Sequence, residues 1–195
     1  MVTVTLTTVD DMTDLPEGPE RYDLIEGELF RMSPAADRHG EIAMTIGFHL
    51  RNYVVPNRLG TVWASETGFI LRREPDTLLA PDVSFVATGR RPPVDQRVGF
   101  VNVVPDLVVE VVSPSDRRRY VSAKVTAYLD AGVRLVWVVE PRTRTVTVHA
   151  SGQPARVVGE DGTLDGGDIA RLHPSRGRGL RRDGLSAVTK RDTLP

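Results

Sequence analysis

Two carboxylates stand in stretches of the sequence that are otherwise apolar. Glu110 is the single charged residue within residues 107–112, a nearly continuous apolar run that predicts a strand buried on both faces. Asp82 comes directly before residues 83–86, a second predicted strand. Burying an unpaired carboxylate costs several kcal/mol, so Glu110 must be ion-paired, protonated or bound to a metal. An inward salt bridge for Glu110, or a turn position for Asp82, also explains either residue taken alone.

Lys124 is the third candidate because lysine is rare in this chain. Of the 25 lysine and arginine residues, only Lys124 and Lys190 are lysines. Lys124 lies in a predicted helix, at the border of an apolar stripe that contains Val125 and Tyr128. Its side chain could simply extend to solvent along its alkyl stem. Because this helix follows the Glu110 strand and packs back over the sheet, it can also bring the ammonium towards the end of that strand.

Two carboxylates on adjacent strands and a nearby lysine suit metal-assisted hydrolysis of a phosphodiester. Asp82 and Glu110 would hold a hard divalent cation through oxygen ligands. The cation would polarise the phosphate and activate a water molecule. Lys124 would orient that water or stabilise the charge that develops in the transition state.

The composition excludes several other classes of protein. The chain has no cysteine, which excludes a disulfide scaffold, a thiolate zinc site and a cysteine nucleophile. Hydrophobic residues make up 40% and charged residues 26%, as in ordinary soluble globular proteins. No apolar run approaches the roughly 20 residues that span a bilayer, and the N-terminus lacks the pattern of a signal peptide. We therefore expect a cytoplasmic protein with no membrane partner.

The apolar periodicity predicts an α/β (α+β) fold, with a mixed central sheet flanked by helices and an N-terminal β-hairpin. The hairpin covers residues 22–32, with its turn at Glu26-Gly27. A first helix begins near Asp37, and a second begins at residues 113–116. The remaining strands are predicted at residues 61–64, 68–71, 83–86, 106–112, 133–139 and 143–149. We expect the last of these to be an edge strand.

A change in charge divides the chain into two parts. Residues 171–195 carry a formal net charge of +5, and residues 1–170 carry −6. The basic part has several glycines and few large apolar residues, which is typical of weakly structured segments. We therefore predict a folded domain over residues 1–167 and a basic, flexible tail over residues 168–195.

Eight short motifs, each weak alone, form a specific combination over about residues 22–149. They are residues 22–29 (YDLIEGEL), 32–34 (MSP), 39–40 (HG), 80–83 (APDV), 105–114 (PDLVVEVVSP), 124–128 (KVTAY), 131–133 (AGV) and 136–141 (VWVVEP). Together they resemble the Uma family of restriction-endonuclease-like proteins, within the PD-(D/E)XK nuclease superfamily. The resemblance implies a restriction-endonuclease-like core and metal-dependent cleavage of DNA.

The resemblance also assigns roles by position. Asp82 and Glu110 match the metal-binding acids of the superfamily, for which magnesium or manganese is the implied cofactor. The superfamily's lysine usually lies two residues after the glutamate, where this chain has Val112. In the Uma family that role matches Lys124, in the following helix. A bacterial protein is implied, and a homodimer follows by analogy with superfamily members that cut both strands.

Five further residues are candidates for supporting roles. His39 and Ser113 lie within the family motifs and are candidate accessory residues of the site. Arg117, Arg118 and Arg119 open the second predicted helix, where arginines and free backbone N–H groups would bind a phosphate. A solvated helix face explains the same three arginines equally well.

The net charge of the predicted domain leaves a second function open. A charge of −6 over residues 1–170 is not what is expected of a protein that binds DNA tightly without sequence preference. The alternative to a nuclease is therefore a catalytically weak or inactive module of the same fold, serving DNA binding or oligomerisation. A hydrolase of a small phosphorylated substrate is a third reading.

Overall fold

Two β-sheets and three helices make up the described part of the chain. The structure, a computed structural model, describes residues 7–13, 21–32, 37–91, 93 and 97–164. The helices are α1 (Val9–Thr13), α2 (Asp37–Val54) and α3 (Arg118–Asp130). The strands are β1 (Arg21–Ile25), β2 (Glu28–Met32), β3 (Gly60–Ala64), β4 (Phe69–Arg72), β5 (Thr77–Leu79), β6 (Val83–Ala87), β7 (Leu107–Val111), β8 (Leu135–Glu140), β9 (Thr145–Ala150) and β10 (Arg156–Val158).

The larger sheet has six strands in the order β10-β9-β8-β7-β6-β3. Strands β7 and β8 run parallel and are joined by α3, whereas the other neighbouring pairs are antiparallel. All five residues of β7 are buried, as its apolar run predicts. The predicted mixed sheet is therefore confirmed. No helix in the described part combines the length and the apolar character needed to cross a bilayer.

Alternate residues of the larger sheet face two different layers. Val109 and Trp137 pack in one cluster with Ile46 of α2. Val108 packs in the other cluster, with Tyr128 of α3 and with residues of β1, β4 and β5. Because successive side chains of a strand point to opposite faces, α2 covers one face of the sheet. Helix α3 and the smaller sheet, of order β2-β1-β5-β4, cover the other.

The predicted hairpin and first helix are confirmed in detail. Strands β1 and β2 pair in an antiparallel register around the turn at residues 26–27, with Ile25 opposite Glu28. Helix α2 begins at Asp37 and buries Ile42 and Ile46 at helical spacing.

Several elements differ from the prediction. Strand β9 is not an edge strand, because β10 pairs along it. Helix α3 begins at Arg118 instead of residues 113–116, since the Asp116 side chain accepts a hydrogen bond from the Ser113 N–H (2.7 Å) and closes a turn before the helix. Helix α1 and strands β5 and β10 were not predicted, because three to five residues are too few for a recognisable pattern. The predicted domain boundary and basic tail lie outside the described residues.

Asp76 holds α1 against the turn between β4 and β5. Its carboxylate accepts hydrogen bonds from the backbone N–H groups of Val9 (2.8 Å) and Glu74 (3.0 Å) and pairs with Arg73 (3.0 Å). Burial disfavours the charged carboxylate, but the two N–H groups and Arg73 outweigh it and lower the pKa of Asp76. This buried anion therefore stabilises the packing of α1.

Replacing Asp76 by asparagine is expected to lower the free energy of unfolding by about 1–3 kcal/mol at neutral pH, because the charged acceptor is lost. A pKa lowered by folding adds stability that is complete above the unfolded-state pKa and is lost as the pH falls through the folded-state value. In urea unfolding, the difference between wild type and variant should shrink below about pH 4. A difference that stays constant down to about pH 2 would contradict this account.

Candidate active site

Strands β6 and β7 bring the two predicted acids together. Asp82 directly precedes β6 and Glu110 lies in β7, and these antiparallel strands pair with Val83 opposite Val109. The Val111 N–H donates a hydrogen bond to Asp82 Oδ2, with an N···O distance of 2.7 Å. The Asp82 carboxylate is thus fixed against the end of the strand that carries Glu110.

Lys124 reaches the same place from α3. Its side chain is buried, at 5% exposure, and its Nζ lies 2.6 Å from Glu110 Oε2. The Tyr128 hydroxyl, one helical turn further along α3, donates to Glu110 Oε1 at 2.6 Å. Both oxygens of Glu110 therefore accept a hydrogen bond from α3. The sequence placed Lys124 at the border of the buried stripe, and the structure places it inside.

A third carboxylate completes this cluster. Asp23 of β1 is fully buried, and its Oδ2 lies 3.3 Å from Lys124 Nζ. The Tyr120 hydroxyl donates to the same Asp23 oxygen, and the Ala80 N–H donates to Oδ1 at 3.2 Å. One ammonium group is therefore shared by two buried carboxylates.

Burial and charge act in opposite directions on the central ion pair. Burial raises the pKa of Glu110 to about 7, although the positive charge of Lys124 opposes the rise. Burial disfavours the Lys124 ammonium, but the charges of Glu110 and Asp23 outweigh it and hold the pKa of Lys124 well above its ordinary value. Lys124 is therefore the cation of the cluster at neutral pH.

His39 adds a basic group on the other side of Asp82. It lies in the first turn of α2, and its Nε2 is 3.2 Å from Asp82 Oδ2. The hydrogen bond to Asp82 raises the pKa of His39, against the effect of burial. The His39 Nδ1 atom is buried and has no hydrogen-bond partner among the described residues.

An open cleft connects the acids, the lysine and several arginines. Asp82, Glu110, Lys124, His39 and Ser113 all line it. Five arginines also line the cleft: Arg21, Arg31, Arg51, Arg117 and Arg119. Arg118 is not among the described residues that line it. The three consecutive arginines therefore differ in position: Arg117 and Arg119 line the cleft that contains the acids, and Arg118 does not.

The chemistry of the acids fits a hard divalent cation. Among the described residues, no group of three or more histidine, cysteine, aspartate or glutamate side chains is arranged to hold a metal. Magnesium, however, usually keeps several water ligands and binds through one or two carboxylates together with substrate phosphates. Asp82 and Glu110, which both line the cleft, would supply those two carboxylates. A zinc site enclosed by protein ligands does not fit this donor set.

A family model described as "Putative restriction endonuclease" matches residues 9–179 of the chain. The chain belongs to the Uma2 family. The resemblance read from the motifs is therefore confirmed, and the match extends beyond both ends of the motif region. No curated protein matches the chain.

A solved structure shares the fold of this Uma2 chain. It is described as a "putative nuclease belonging to DUF820" from Anabaena variabilis and superposes with a TM-score of 0.74 at 22% sequence identity. The superposition covers 85% of this chain and 93% of the other. At this level of identity the likeness establishes the fold and leaves the chemistry to the residues of the cleft.

Three residues of the Uma2 site were not predicted to belong to it. Two of them are Tyr120 and Tyr128, which stand four residues before and four residues after Lys124 on the same face of α3. This spacing could have marked both tyrosines. Tyr128 was instead assigned to the core. Asp23 lies within the first family motif but was given no role, because it stands in an ordinary hairpin strand whose last three residues are all buried.

Proposed function

We propose that this Uma2 protein is a magnesium- or manganese-dependent endonuclease that hydrolyses DNA phosphodiester bonds in the bacterial cytoplasm. One observation carries the proposal: Asp82 and Glu110 meet at adjacent strands on the floor of an open cleft, with the Lys124 ammonium 2.6 Å from Glu110. Family membership supports the nuclease class, and the residues of the cleft support the divalent cation and the roles below.

Asp82 and Glu110 would hold the cation. When bound, such a cation polarises the phosphate and lowers the pKa of a coordinated water. The Val111 N–H keeps the Asp82 carboxylate in place, which limits the reorganisation that ligation requires. Lys124 presents a positive charge that stabilises the phosphate oxygens as negative charge develops on them. His39 restrains Asp82 from the side of α2.

The arginines of the cleft offset the negative charge of the domain where DNA would bind. Arg117 and Arg119 stand at the start of α3, where free backbone N–H groups and the helix dipole favour an anion. We assign these two residues to contacts with the DNA backbone. Arg118 was part of the same predicted group but does not line the cleft, which makes it a matched control.

Replacing Arg117 and Arg119 together by alanine is expected to weaken DNA binding at every sequence. Each lost phosphate contact should reduce the slope of log affinity against log salt by about 1. Fluorescence anisotropy of a labelled duplex, titrated with protein in EDTA at several salt concentrations, measures both effects. Arg118→Ala should leave the slope unchanged. If Arg118→Ala weakens binding as much as the double variant, the assignment is wrong.

The nuclease proposal is tested with a supercoiled plasmid. Purified wild-type protein with manganese or magnesium should nick or linearise it, and EDTA should stop the reaction. Failure to cut plasmid, duplex and single-stranded oligonucleotides with either metal would overturn the proposal. Hydrolysis of nucleotides without cleavage of the polymer would instead indicate a small phosphorylated substrate.

A non-catalytic module of the same fold is the second candidate. Both Glu110 oxygens already accept hydrogen bonds, one from Lys124 and one from Tyr128, and a cation would have to compete with these donors. This observation favours the non-catalytic module. Calorimetric titration with manganese separates the candidates. The nuclease requires carboxylate-dependent metal binding, whereas the module binds DNA without it.

We also propose that the active form is a homodimer, because one site per chain cuts one strand. Sedimentation velocity should then give twice the monomer mass of 21.5 kDa. A monomer that produces only nicked circles would contradict this proposal.

A further inference from the structure

We propose that Asp23 is a positioning residue that holds the Lys124 ammonium at the site independently of Glu110. The inference rests on the proposed nuclease function, in which Lys124 stabilises the reacting phosphate. Asp23 belongs to the smaller sheet and does not itself line the cleft.

Asp23 is placed to fix Lys124 from a second element of the fold. Its Oδ2 lies 3.3 Å from Lys124 Nζ, while Glu110 Oε2 lies 2.6 Å from the same atom. Asp23 belongs to β1 of the smaller sheet, and Glu110 belongs to β7 of the larger one. The ammonium is therefore held between two sheets.

Asp23 is itself tightly held. The Ala80 N–H and the Tyr120 hydroxyl each donate a hydrogen bond to its carboxylate. Ala80 lies two residues before Asp82, and Tyr120 lies one helical turn before Lys124. One buried carboxylate thus connects the segment that leads to the metal-binding aspartate with the helix that carries the lysine.

The need for a second anion follows from the role of Glu110. A carboxylate that serves a divalent cation shares its negative charge with that cation, so its attraction for a neighbouring ammonium weakens. Lys124 is buried, and burying a charged ammonium without a partner anion is costly, so the side chain would then move towards solvent. Asp23 is fully buried, so its attraction is not screened by water.

A purely structural role for Asp23 also predicts lower stability on mutation, so stability alone does not test the proposal. Asp106 provides a matched control. It is likewise buried, at 1% exposure, accepts a backbone N–H from Ala87 and pairs with a cation, Arg90. Asp106 is not among the described residues that line the cleft. Asp106→Asn removes an equivalent buried charge away from Lys124.

Because the chain has only two lysines, the order of the Lys124 side chain can be measured directly. Full-length protein made with ζ-¹⁵N-lysine gives side-chain signals from Lys124 and Lys190 alone, and Lys190→Arg assigns them. A buried, hydrogen-bonded ammonium exchanges its protons slowly with water, and its ¹⁵N relaxation is that of a rigidly held group. We expect that pattern for Lys124 in the wild type and in Asp106→Asn. Asp23→Asn should reduce that order in the metal-free protein, where Glu110 still holds the ammonium, and abolish it with saturating magnesium; Asp23→Glu should restore part of it.

Activity and metal binding supply the second readout. Asp23→Asn should reduce kcat by about 10–100-fold with little change in KM, as for residues that orient a functional group. Manganese binding measured by calorimetry should persist, because Asp23 is not a ligand in this account. If Asp23→Asn does not fold, Tyr120→Phe, which removes one partner of Asp23 and no charge, should reduce the order of the Lys124 ammonium instead.

The outcomes separate this proposal from the proposed function. An ordered Lys124 ammonium in Asp23→Asn with saturating magnesium, or a loss of order that Asp106→Asn matches, overturns the positioning role. Loss of manganese binding in Asp23→Asn overturns it as well, since Asp23 would then be a ligand. If the wild type cuts no nucleic acid, the proposed function fails, and the ammonium signal still decides whether Asp23 holds Lys124.

Discussion

Replacing Asp82 by asparagine is expected to reduce manganese-dependent DNA cleavage by about 1000-fold. The side chain keeps its shape and can still accept a hydrogen bond from the Val111 N–H, so the strand contact survives. What is lost is the negative charge that would ligate the cation. A catalytic metal contributes several kcal/mol to transition-state stabilisation, and each 1.36 kcal/mol is about tenfold in rate. Initial rates of plasmid cleavage measure the effect.

The control for this variant is Asp106→Asn, which also neutralises a buried aspartate but lies outside the cleft. It should cleave at nearly the wild-type rate while losing some stability. If Asp82→Asn retains the cleavage rate and the manganese affinity of the wild type, Asp82 is not a metal ligand. Cleavage would then not depend on Asp82.

Replacing Lys124 by methionine is expected to lower the free energy of unfolding by about 3–5 kcal/mol, because breaking a buried ion pair leaves charge without a partner. Glu110 and Asp23 would both lose the ammonium that they share. The pKa of Glu110 is already raised to about 7 in the wild type, and removing Lys124 raises it further. A raised folded-state pKa costs stability as the pH rises through it. The loss should therefore be greater at about pH 8 than at about pH 6 in urea unfolding.

A double-mutant cycle isolates the pair. Lys124→Met leaves the Glu110 charge buried without a partner, and Glu110→Gln removes that charge. The double variant should therefore be more stable than the sum of the two single effects predicts. The coupling energy should fall in the range of about 0.5–3 kcal/mol found for residues in contact. Additive effects would mean that the 2.6 Å contact contributes nothing to stability.

The sequence was informative where local pattern and chain order decide the structure. The apolar run around Glu110 predicted a fully buried strand, and the helical spacing of Ile42 and Ile46 predicted α2. The order of elements also placed Lys124 near Glu110, because a helix that follows a parallel strand returns over the same sheet. The meeting of Glu110 with Lys124 therefore needed only short-range information.

The remaining features depend on contacts between distant parts of the chain. Tyr120 and Asp23 are 97 residues apart, and they meet only because the smaller sheet packs on α3. Nothing in the local pattern around Asp23 specifies that packing. The predicted start of α3 was wrong for a different reason. The Asp116 side chain closes a turn with Ser113, and in the sequence these two residues resemble a helix N-cap.

A crystal structure of the wild-type protein soaked in manganese tests directly whether Asp82 and Glu110 bind the cation. Anomalous scattering locates manganese without assumptions about the surrounding atoms. We expect one strong peak bonded to carboxylate oxygens of both Asp82 and Glu110, with Lys124 beside it. A saturating soak that places manganese elsewhere, or leaves Glu110 bound only to Lys124 and Tyr128, would contradict the account.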